Sequence, residues 1–333
     1  MICLIIIISW MNIVANCEAN SNVKIKSIAV GDYHTVVLTE TGKVRAWGNN
    51  GKIESLYPNS YVEVDTTICE VPNDLEGVKA ISAGLMFTVA LKEDGNVVAW
   101  GNKLNGKCDV PSGLTHVKAI STRYTHTLAL KEDGVVVAWG DNPHGECMVP
   151  NGLKKVKAVS AGGRHSVALK EDGTVIAWGD NSNGQCNVPT GLSGVKAISA
   201  GFWHTIALKE DGTVVAWGAG FYRQNHVPEG IAGVKAIEAG GMNNLVLKED
   251  GTVEAWGDNV YGQCNIPKGL SGVKALAAEE HTVVLKDDGT VEAWGINLNG
   301  QCDVPAEFRP KVAILEKVTR SKIKSISAGY KAG

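Results

Sequence analysis

The tripeptide Ala-Trp-Gly recurs along most of this chain at a nearly constant interval. After a first interval of 53 residues, its tryptophans follow one another four times at 39 residues and finally at 38. A fixed period of this size indicates a repeat protein, in which each unit buries its apolar surface against its neighbours. Seven such units are therefore expected. The tryptophans are Trp47, Trp100, Trp139, Trp178, Trp217, Trp256 and Trp294.

One repeat, residues 156–194, is predicted to contain four short β-strands. Each run is rich in β-branched or small apolar residues and is bounded by Gly, Asp, Asn or Pro. Asp172-Gly173 between the second and third runs is a hairpin signal, because glycine adopts positive φ without a Cβ penalty. Four strands at a period near 40 are typical of a propeller blade. We therefore predict an all-β, seven-bladed β-propeller with four-stranded antiparallel blades. The runs are 157–161, 165–170, 174–178 and 186–188.

The amino-acid pattern of the repeat resembles that of a known protein family. Strings of the type AGxxHTVALKEDGTVVAWG and GQCNVP are similar to the repeat of the regulator of chromosome condensation family, over roughly residues 23 to 305. The variant NVPTGLSGVKAISAG looks most like the bacterial secreted branch, which includes a propeller-type β-lactamase inhibitor protein. The resemblance implies a seven-bladed propeller that binds other proteins, and it implies no enzymatic activity.

The amino-acid composition limits the classes of partner that the protein is expected to bind. The net charge of −3 and the lack of a basic tail give no electrostatic drive toward nucleic acid. We expect a protein partner, no nucleic acid, and no membrane association beyond a leader. Residues 20–333 are expected to form one propeller domain, and the protein is expected to be a monomer.

Residues 1–19 differ in composition from the repeats. The run from Ile2 to Ile8 is apolar, and the first charged side chain is Glu18. This resembles a secretory signal peptide with cleavage after Ala19, which predicts a secreted or extracytoplasmic protein. The segment carries no positive charge before the apolar run, so a mis-called start codon, implying a cytoplasmic protein, and a short membrane anchor stay open. The apolar run is short for a spanning helix, which needs about 20 residues.

Two further segments depart from the repeat. Blade one carries an insert at about 53–66, in the loop after its third predicted strand. Residues 306–333 are predicted to close the ring or to be irregular. Either 311–314 or 323–329 could supply a strand that completes a terminal blade, and the sequence does not choose between them. A truncated eighth repeat is the alternative.

The repeated polar residues are interpreted as structural. A histidine recurs at one position in five repeats, and we expect it to tie adjacent blades through a backbone hydrogen bond. A cysteine recurs in six repeats, and we expect free, mostly buried thiols, because equivalent positions are held apart by the ring. No Cys-x-x-Cys pair or other ligand spacing predicts a metal or cofactor. The histidines are His34, His126, His165, His204 and His281, and the cysteines are Cys69, Cys108, Cys147, Cys186, Cys264 and Cys302.

The repeats disagree mainly on one face. In an antiparallel blade, the loop between strands one and two and the loop after strand three emerge together, and we call this surface the loop face. Maintaining the fold does not require large aromatic side chains there, so their presence indicates a contact surface for a protein partner. Relaxed loop drift is the alternative. The candidate partner-binding residues are Tyr33, Met86, Tyr124, Arg164, Phe202, Trp203, Phe221, Tyr222, Arg223, Met242 and Tyr261.

Three functions remain open from the sequence. The first is a secreted, non-catalytic binding propeller that inhibits a partner enzyme. In the inhibitor branch, the resemblance implies, this loop face covers the partner's active site. Met86 and Met242 stand where that branch has aromatic residues. The second is an exchange-factor-like regulator of a small GTPase. The third is a carbohydrate-binding propeller, although no pair of acids is placed beside the aromatic residues to hydrolyse a sugar.

Overall fold

A computed structural model describes residues 23–49 and 67–310 of the chain. The predicted leader, the insert at 53–66 and both candidate ring-closing segments lie outside the described residues. Within the described part, no helix is long and apolar enough to cross a membrane.

The described residues form seven separate antiparallel sheets, each with three strands in sequence order. The prediction of an all-β propeller with seven blades is thereby confirmed. The second strand is the middle one of each sheet, and the first strand has a register irregularity near its start in every blade.

The strand bounds repeat from blade to blade. Blades one to four contain β1 Ile25–Val30, β2 His34–Thr39, β3 Val44–Gly48, β4 Val78–Gly84, β5 Phe87–Lys92, β6 Val97–Gly101, β7 Val117–Arg123, β8 His126–Lys131, β9 Val136–Gly140, β10 Val156–Ala161, β11 His165–Lys170 and β12 Val175–Gly179. Blades five to seven contain β13 Val195–Ala200, β14 His204–Lys209, β15 Val214–Gly218, β16 Val234–Ala239, β17 Asn243–Lys248, β18 Val253–Gly257, β19 Val273–Ala278, β20 His281–Lys286 and β21 Val291–Gly295. Short 3-10 helices span Thr67–Cys69, Leu104–Gly106 and Ala306–Phe308.

The predicted fourth strand is wrong. In blade four the backbone N–H groups of residues 186–188 are all used locally. Cys186 N–H donates to the Asn181 side chain, Asn187 N–H to Gly184 O, and Val188 N–H to Cys186 O. The next residue, Pro189, has no N–H. Because no donor is left to pair with strand three, the segment stays a turn along the blade edge.

The recurring cysteines belong to the same turn. Cys186 Sγ donates to Asp180 O at 3.2 Å, and burial raises the pKa of the thiol to about 11. The six cysteines of the described residues are free, and they are half-buried, whereas we expected mostly buried thiols.

Apolar packing is divided among seven seams between neighbouring blades. Each seam joins the middle strand of one blade to the first strand and the repeat tryptophan of the next. At the seam of blades three and four, Leu128 and Leu130 pack with Val156 and Trp178. The seven apolar clusters lie one at each seam around the ring.

Five of the seven seams also carry a hydrogen bond between the repeated histidine and a side chain of the next blade. His165 Nε2 lies 2.9 Å from Thr205 Oγ1 of the next blade, and that hydroxyl donates to Gln185 O at 3.2 Å. Since Thr205 donates its one proton to Gln185 O, His165 Nε2 carries the N–H that is donated to the Thr205 hydroxyl. Burial lowers the pKa of His165 to about 3. The expected interblade tie is confirmed, but the histidine's partner is a hydroxyl, which relays the bond to the backbone.

The last seam closes the ring between blades seven and one. His281 Nε2 lies 2.9 Å from Thr35 Oγ1, and Trp47 donates its indole N–H to Gln301 O at 3.0 Å. Phe308 from the last 3-10 helix is buried against Trp47, with ring centroids 6.1 Å apart. Blades one and seven therefore meet through the same histidine and tryptophan hydrogen bonds as blades four and five, with Phe308 as an additional contact.

One buried arginine crosses the central channel. Arg123 at the end of β7 pairs with Glu279 at 2.6 Å and with Glu238 at 3.5 Å. Its guanidinium also donates to Ala239 O at 2.6 Å and to Ala278 O at 3.3 Å. Blade three is thereby joined to blades six and seven across the axis, at the end of the channel nearest the loop face.

This cluster contains two carboxyl groups and one guanidinium group. Burial raises the pKa of Glu238 to about 7, against the lowering effect of Arg123. Burial also raises the pKa of Glu279 well above its usual range, and Asp32, Glu238 and Glu280 add to the rise. One guanidinium cannot neutralise both carboxyl groups, so the cluster retains protons at pH values where free glutamates lose them.

We expect Trp178→Ala to lower the free energy of unfolding by about 3–5 kcal/mol, because it removes a large side chain from a seam and the indole N–H that donates to Glu146 O. Urea unfolding checks this. Trp203→Ala on the loop face is the comparison and should cost well under half as much. Equal costs would contradict the assignment of Trp178 to the core.

We expect Glu238→Ser to gain stability relative to the wild type as pH rises from about 4.5 to about 7. In that window the folded protein keeps a proton that the unfolded chain has lost, so the wild type is destabilised by rising pH, on the order of 1–3 kcal/mol. Serine is the residue of blades two to five here, and it accepts the next blade's N–H. Urea unfolding at pH 5 and pH 8 measures the difference, and a pH-independent difference would contradict this account.

Candidate functional site: the loop face

The two loops of each blade are locked together on the loop face. The pairing of His165 with Gly179 places the ends of strands two and three side by side. Directly beyond it, Asp180 N–H donates to Arg164 O at 2.9 Å. The same bond recurs in other blades, for example from Ala219 to Trp203 at 2.8 Å. The variable side chains are therefore presented on a fixed backbone.

Four of the predicted residues form a continuous line of edge-to-face rings. Tyr124 meets Phe202 at 4.7 Å between centroids, Phe202 meets Trp203 at 4.7 Å, and Trp203 meets Phe221 at 6.2 Å. Such contacts stabilise ring pairs by about 0.5–1.5 kcal/mol beyond burial. We call these four residues the aromatic ladder. It runs from blade three to blade five.

A glycine in the intervening blade makes the ladder possible. A Cβ on Gly163 would lie 2.6 Å from Phe202 O and 2.9 Å from Phe202 Cγ. Any side chain at this position would push Phe202 away, so blade four leaves the space that blade five fills. The contact between Tyr124 and Phe202 thus depends on a residue that contributes no side chain.

The remaining predicted residues surround the ladder unevenly. Tyr222 is exposed beside Phe221, and Arg223 follows it, also exposed. Arg164 is half-buried in the gap between blades three and five. Met242 and Tyr261 lie on blade six and make no ring contact with the ladder among the described residues.

On the other side of the ladder, Tyr33 and Met86 are half-buried. Burial raises the pKa of Tyr33, and the nearby Asp32, Glu280 and Tyr124 raise it further. Met86 receives a weak hydrogen bond from the Asn102 side chain, 3.7 Å from its Sδ.

Three predicted contact residues have backbone conformations that favour glycine. Met86 has φ of 61°, Tyr124 of 49° and Arg223 of 62°. At the position of Arg223, other blades carry glycines such as Gly184, with φ of 77°. A non-glycine residue in this region costs roughly 1–2 kcal/mol. Large side chains at strained positions are found mostly where they serve a function.

The candidate contact residues chosen from the sequence leave out two sets of loop-face residues. A rim of exposed apolar side chains shares the repeat position of Phe221, namely Leu104, Val260 and Leu298. Buried charges replace neutral residues elsewhere, for example Glu146 at a position where four blades carry glutamine. Both sets were detectable by comparing the repeats position by position.

The described residues contain no group of three or more His, Cys, Asp or Glu side chains that could hold a metal ion. The repeated histidines are individually buried in separate seams, each with its hydrogen bond to the neighbouring blade. They do not converge on the loop face. What the loop face presents is rigid aromatic and apolar surface with scattered charges.

Comparison with known proteins places the fold. The RCC1-like domain matches residues 11–332. Stretches of 88 and 90 residues are 38% and 32% identical to Protein RCC1 of Candida albicans and to the ultraviolet-B receptor UVR8 of Arabidopsis thaliana. They cover 23% and 25% of this chain but only 18% and 19% of those proteins.

Solved structures agree in fold at lower identity. The ectodomain of the Physcomitrella patens receptor kinase CR4 superposes with a TM-score of 0.65 at 20% identity, covering 82% of this chain and 74% of that one. Human WBSCR16 gives 0.65 at 21%, covering 80% and 88%. Yeast RCC1 (Prp20), solved bound to Kap60, gives 0.60 at 20%, covering 72% and 74%. With a family match across nearly the whole length and seven sheets in a ring, the chain belongs to the RCC1-like domain family of β-propellers.

Proposed function

We propose that this chain is a non-catalytic, protein-binding propeller and that the loop face is its contact surface. The aromatic ladder is the observation that carries the proposal. Tyrosine, tryptophan and arginine are the usual anchors of protein interfaces, and here they lie on a pre-formed surface, with Tyr124 and Arg223 at positive φ.

Binding would act by occlusion. The seams hold the blades and the paired loops hold the side chains, so little conformational freedom remains to be lost on association. A partner enzyme whose active site docked on this face would be covered by a broad rigid surface. We therefore propose inhibition of a partner enzyme as the consequence of binding. Regulation of a small GTPase and carbohydrate binding are the competing functions.

We expect Trp203→Ala to abolish partner binding with the fold intact, because it removes one of the two middle rings of the ladder. Gly163→Ala should weaken binding in the same direction, since it keeps every aromatic side chain but displaces Phe202. The control is Val135→Thr on the opposite face, where Val135 is exposed and other blades carry threonine.

The assay measures inhibition of purified β-lactamases, nucleotide release from small GTPases, and binding to a glycan array, for the wild type and all three variants. Enzyme inhibition lost in Trp203→Ala and kept in Val135→Thr supports the proposal. Sugar binding alone, or a protein partner retained by the folded Trp203→Ala variant, would contradict it.

We also propose that the protein is secreted, on the strength of the leader-like composition of residues 1–19. Protein recovered from the medium of producing cells is expected to begin at Asn20. N-terminal sequencing of that protein is the measurement, and an intact Met1 on a protein retained in the cytosol would sink the idea.

A further inference from the structure

Four asparagine-glycine pairs lie outside the strands of the described residues, and a fifth, at 50–51, falls beyond them. This dipeptide is chemically labile, because the backbone nitrogen of the glycine can attack the side-chain amide of the asparagine. Glycine favours the attack, since it has no Cβ to obstruct the closing ring. The reaction needs a glycine N–H that is free to lose its proton and an asparagine side chain that is free to turn toward it. The four pairs are Asn105-Gly106, Asn151-Gly152, Asn183-Gly184 and Asn299-Gly300.

Three of the four pairs lie on the loop face, and in each of them the glycine N–H is already bonded. It donates to the backbone carbonyl three residues earlier in the chain. The nitrogen-oxygen distances are 3.3 Å at Gly106, 3.1 Å at Gly184 and 3.4 Å at Gly300. Because this bond holds the proton on the nitrogen, it opposes the formation of the nucleophile.

The asparagine side chains of these three pairs are also held. Asn105 donates its side-chain amide to Asp141 Oδ2 at 3.2 Å, and Asn299 Oδ1 accepts the Asn49 side-chain amide at 3.0 Å. Asn183 donates its amide to the hydroxyl of the preceding serine at 3.3 Å. Each of these bonds must break before the side chain can turn toward its glycine, so the loop face protects all three pairs.

Asn151-Gly152 differs from the other pairs in each of these respects. It forms an exposed turn between blades three and four, opposite the loop face. Leu153 N–H closes the turn on Pro150 O at 3.2 Å, and within the described part of the chain neither Gly152 N–H nor the Asn151 side chain has a hydrogen bond. A Cβ on Gly152 would meet nothing within 4 Å, whereas at the other three glycines it would meet a side chain at 3.2–3.4 Å. The turn therefore leaves both reacting groups free and gives the ring space to close.

The same turn in four other blades keeps the glycine but not the asparagine. Gly152 has φ of 77°, and the equivalent glycines have φ of 76–85°, which is the conformation that the third position of a type II turn requires. The residue before the glycine carries no attackable side-chain amide in those blades. It is Ser112, Thr190, Glu229 or Lys268.

We propose that Asn151 is a site of spontaneous deamidation in the folded protein. The deprotonated Gly152 nitrogen attacks Cγ of Asn151, the bond from Cγ to the amide nitrogen breaks, and that nitrogen takes a proton from solvent and leaves as ammonia. The product is a five-membered succinimide ring. Water then adds to either ring carbonyl and breaks its bond to the Gly152 nitrogen, which takes up a proton. Opening at one carbonyl gives aspartate, and opening at the other gives isoaspartate.

This modification alters the edge of a seam and leaves the loop face unchanged. Val149 and Leu153 lie on either side of the turn, and both pack against the apolar cluster between blades three and four. Isoaspartate adds one carbon to the main chain between them, so the turn has to change its path. Both products also place a new negative charge in the turn.

The test incubates the full chain in mildly alkaline buffer, folded and in parallel unfolded in urea. Mass spectrometry of the digested chain follows each pair through the replacement of NH₂ by OH. We expect Asn151 in the folded protein to react at close to its unfolded rate. The three loop-face pairs should be slower by on the order of tenfold, the effect of breaking two ordinary hydrogen bonds before attack. Asn151→Ser, which restores the serine of blade two, should lack the product and unfold at the same urea concentration.

Faster deamidation at Asn151 than at the loop-face pairs, in the folded protein but not in urea, supports the proposal. Equal rates at all four pairs in the folded protein would mean that the hydrogen bonds of the loop face protect nothing. A folded Asn151 as slow as the loop-face pairs would mean that its turn is not free to react. Either of these results overturns the proposal, and neither bears on the Trp203→Ala comparison.

Discussion

Five of the seven seams depend on one backbone carbonyl of the preceding blade, which accepts both a side-chain hydrogen bond and the indole N–H of the repeat tryptophan. Gln185 O of blade four accepts both the Thr205 hydroxyl and the Trp217 indole N–H of blade five, and His165 orients that hydroxyl. The carbonyl belongs to the turn after strand three. In these five seams each blade therefore fixes the loop of the blade before it, and the seam that stabilises the fold also positions the surface proposed to act.

The repeat supplies a uniform scaffold, and function is expected at the positions where individual blades differ from the common repeat sequence. A seam made by neighbouring blades constrains only a few positions in each repeat, so loop residues can change without disturbing it. Blade five contributes Phe202, Trp203, Phe221 and Arg223. Blade four has no side chain at Gly163, and blade three contributes Tyr124 and Glu146. Adjacent departures from different blades together build one surface that no single repeat contains.

Sequence reasoning was right where it used periodicity and wrong where it read short runs. The count of seven blades and the interblade role of Trp178 follow from spacing and burial. The fourth strand was mispredicted because a β-like run ending in Pro189 also suits a turn whose amides are bonded locally. The aromatic residues were found by comparing repeats, but Arg123 and Glu146 were overlooked although they differ from their counterparts as clearly as Trp203 does.

The sequence by itself determined the number of blades, the class of fold and the residues that form each seam. Each blade must bury its apolar faces against its neighbours, so the residues that do this recur at the same position in every repeat. Only the tertiary structure decided which non-adjacent blades are in contact. Arg123 donates to a carbonyl 155 residues away, and Tyr124 touches Phe202 across the gap left by Gly163. These contacts skip one or more blades. Periodicity reports contacts between neighbours, and the angular position of each blade around the axis brings the rest together.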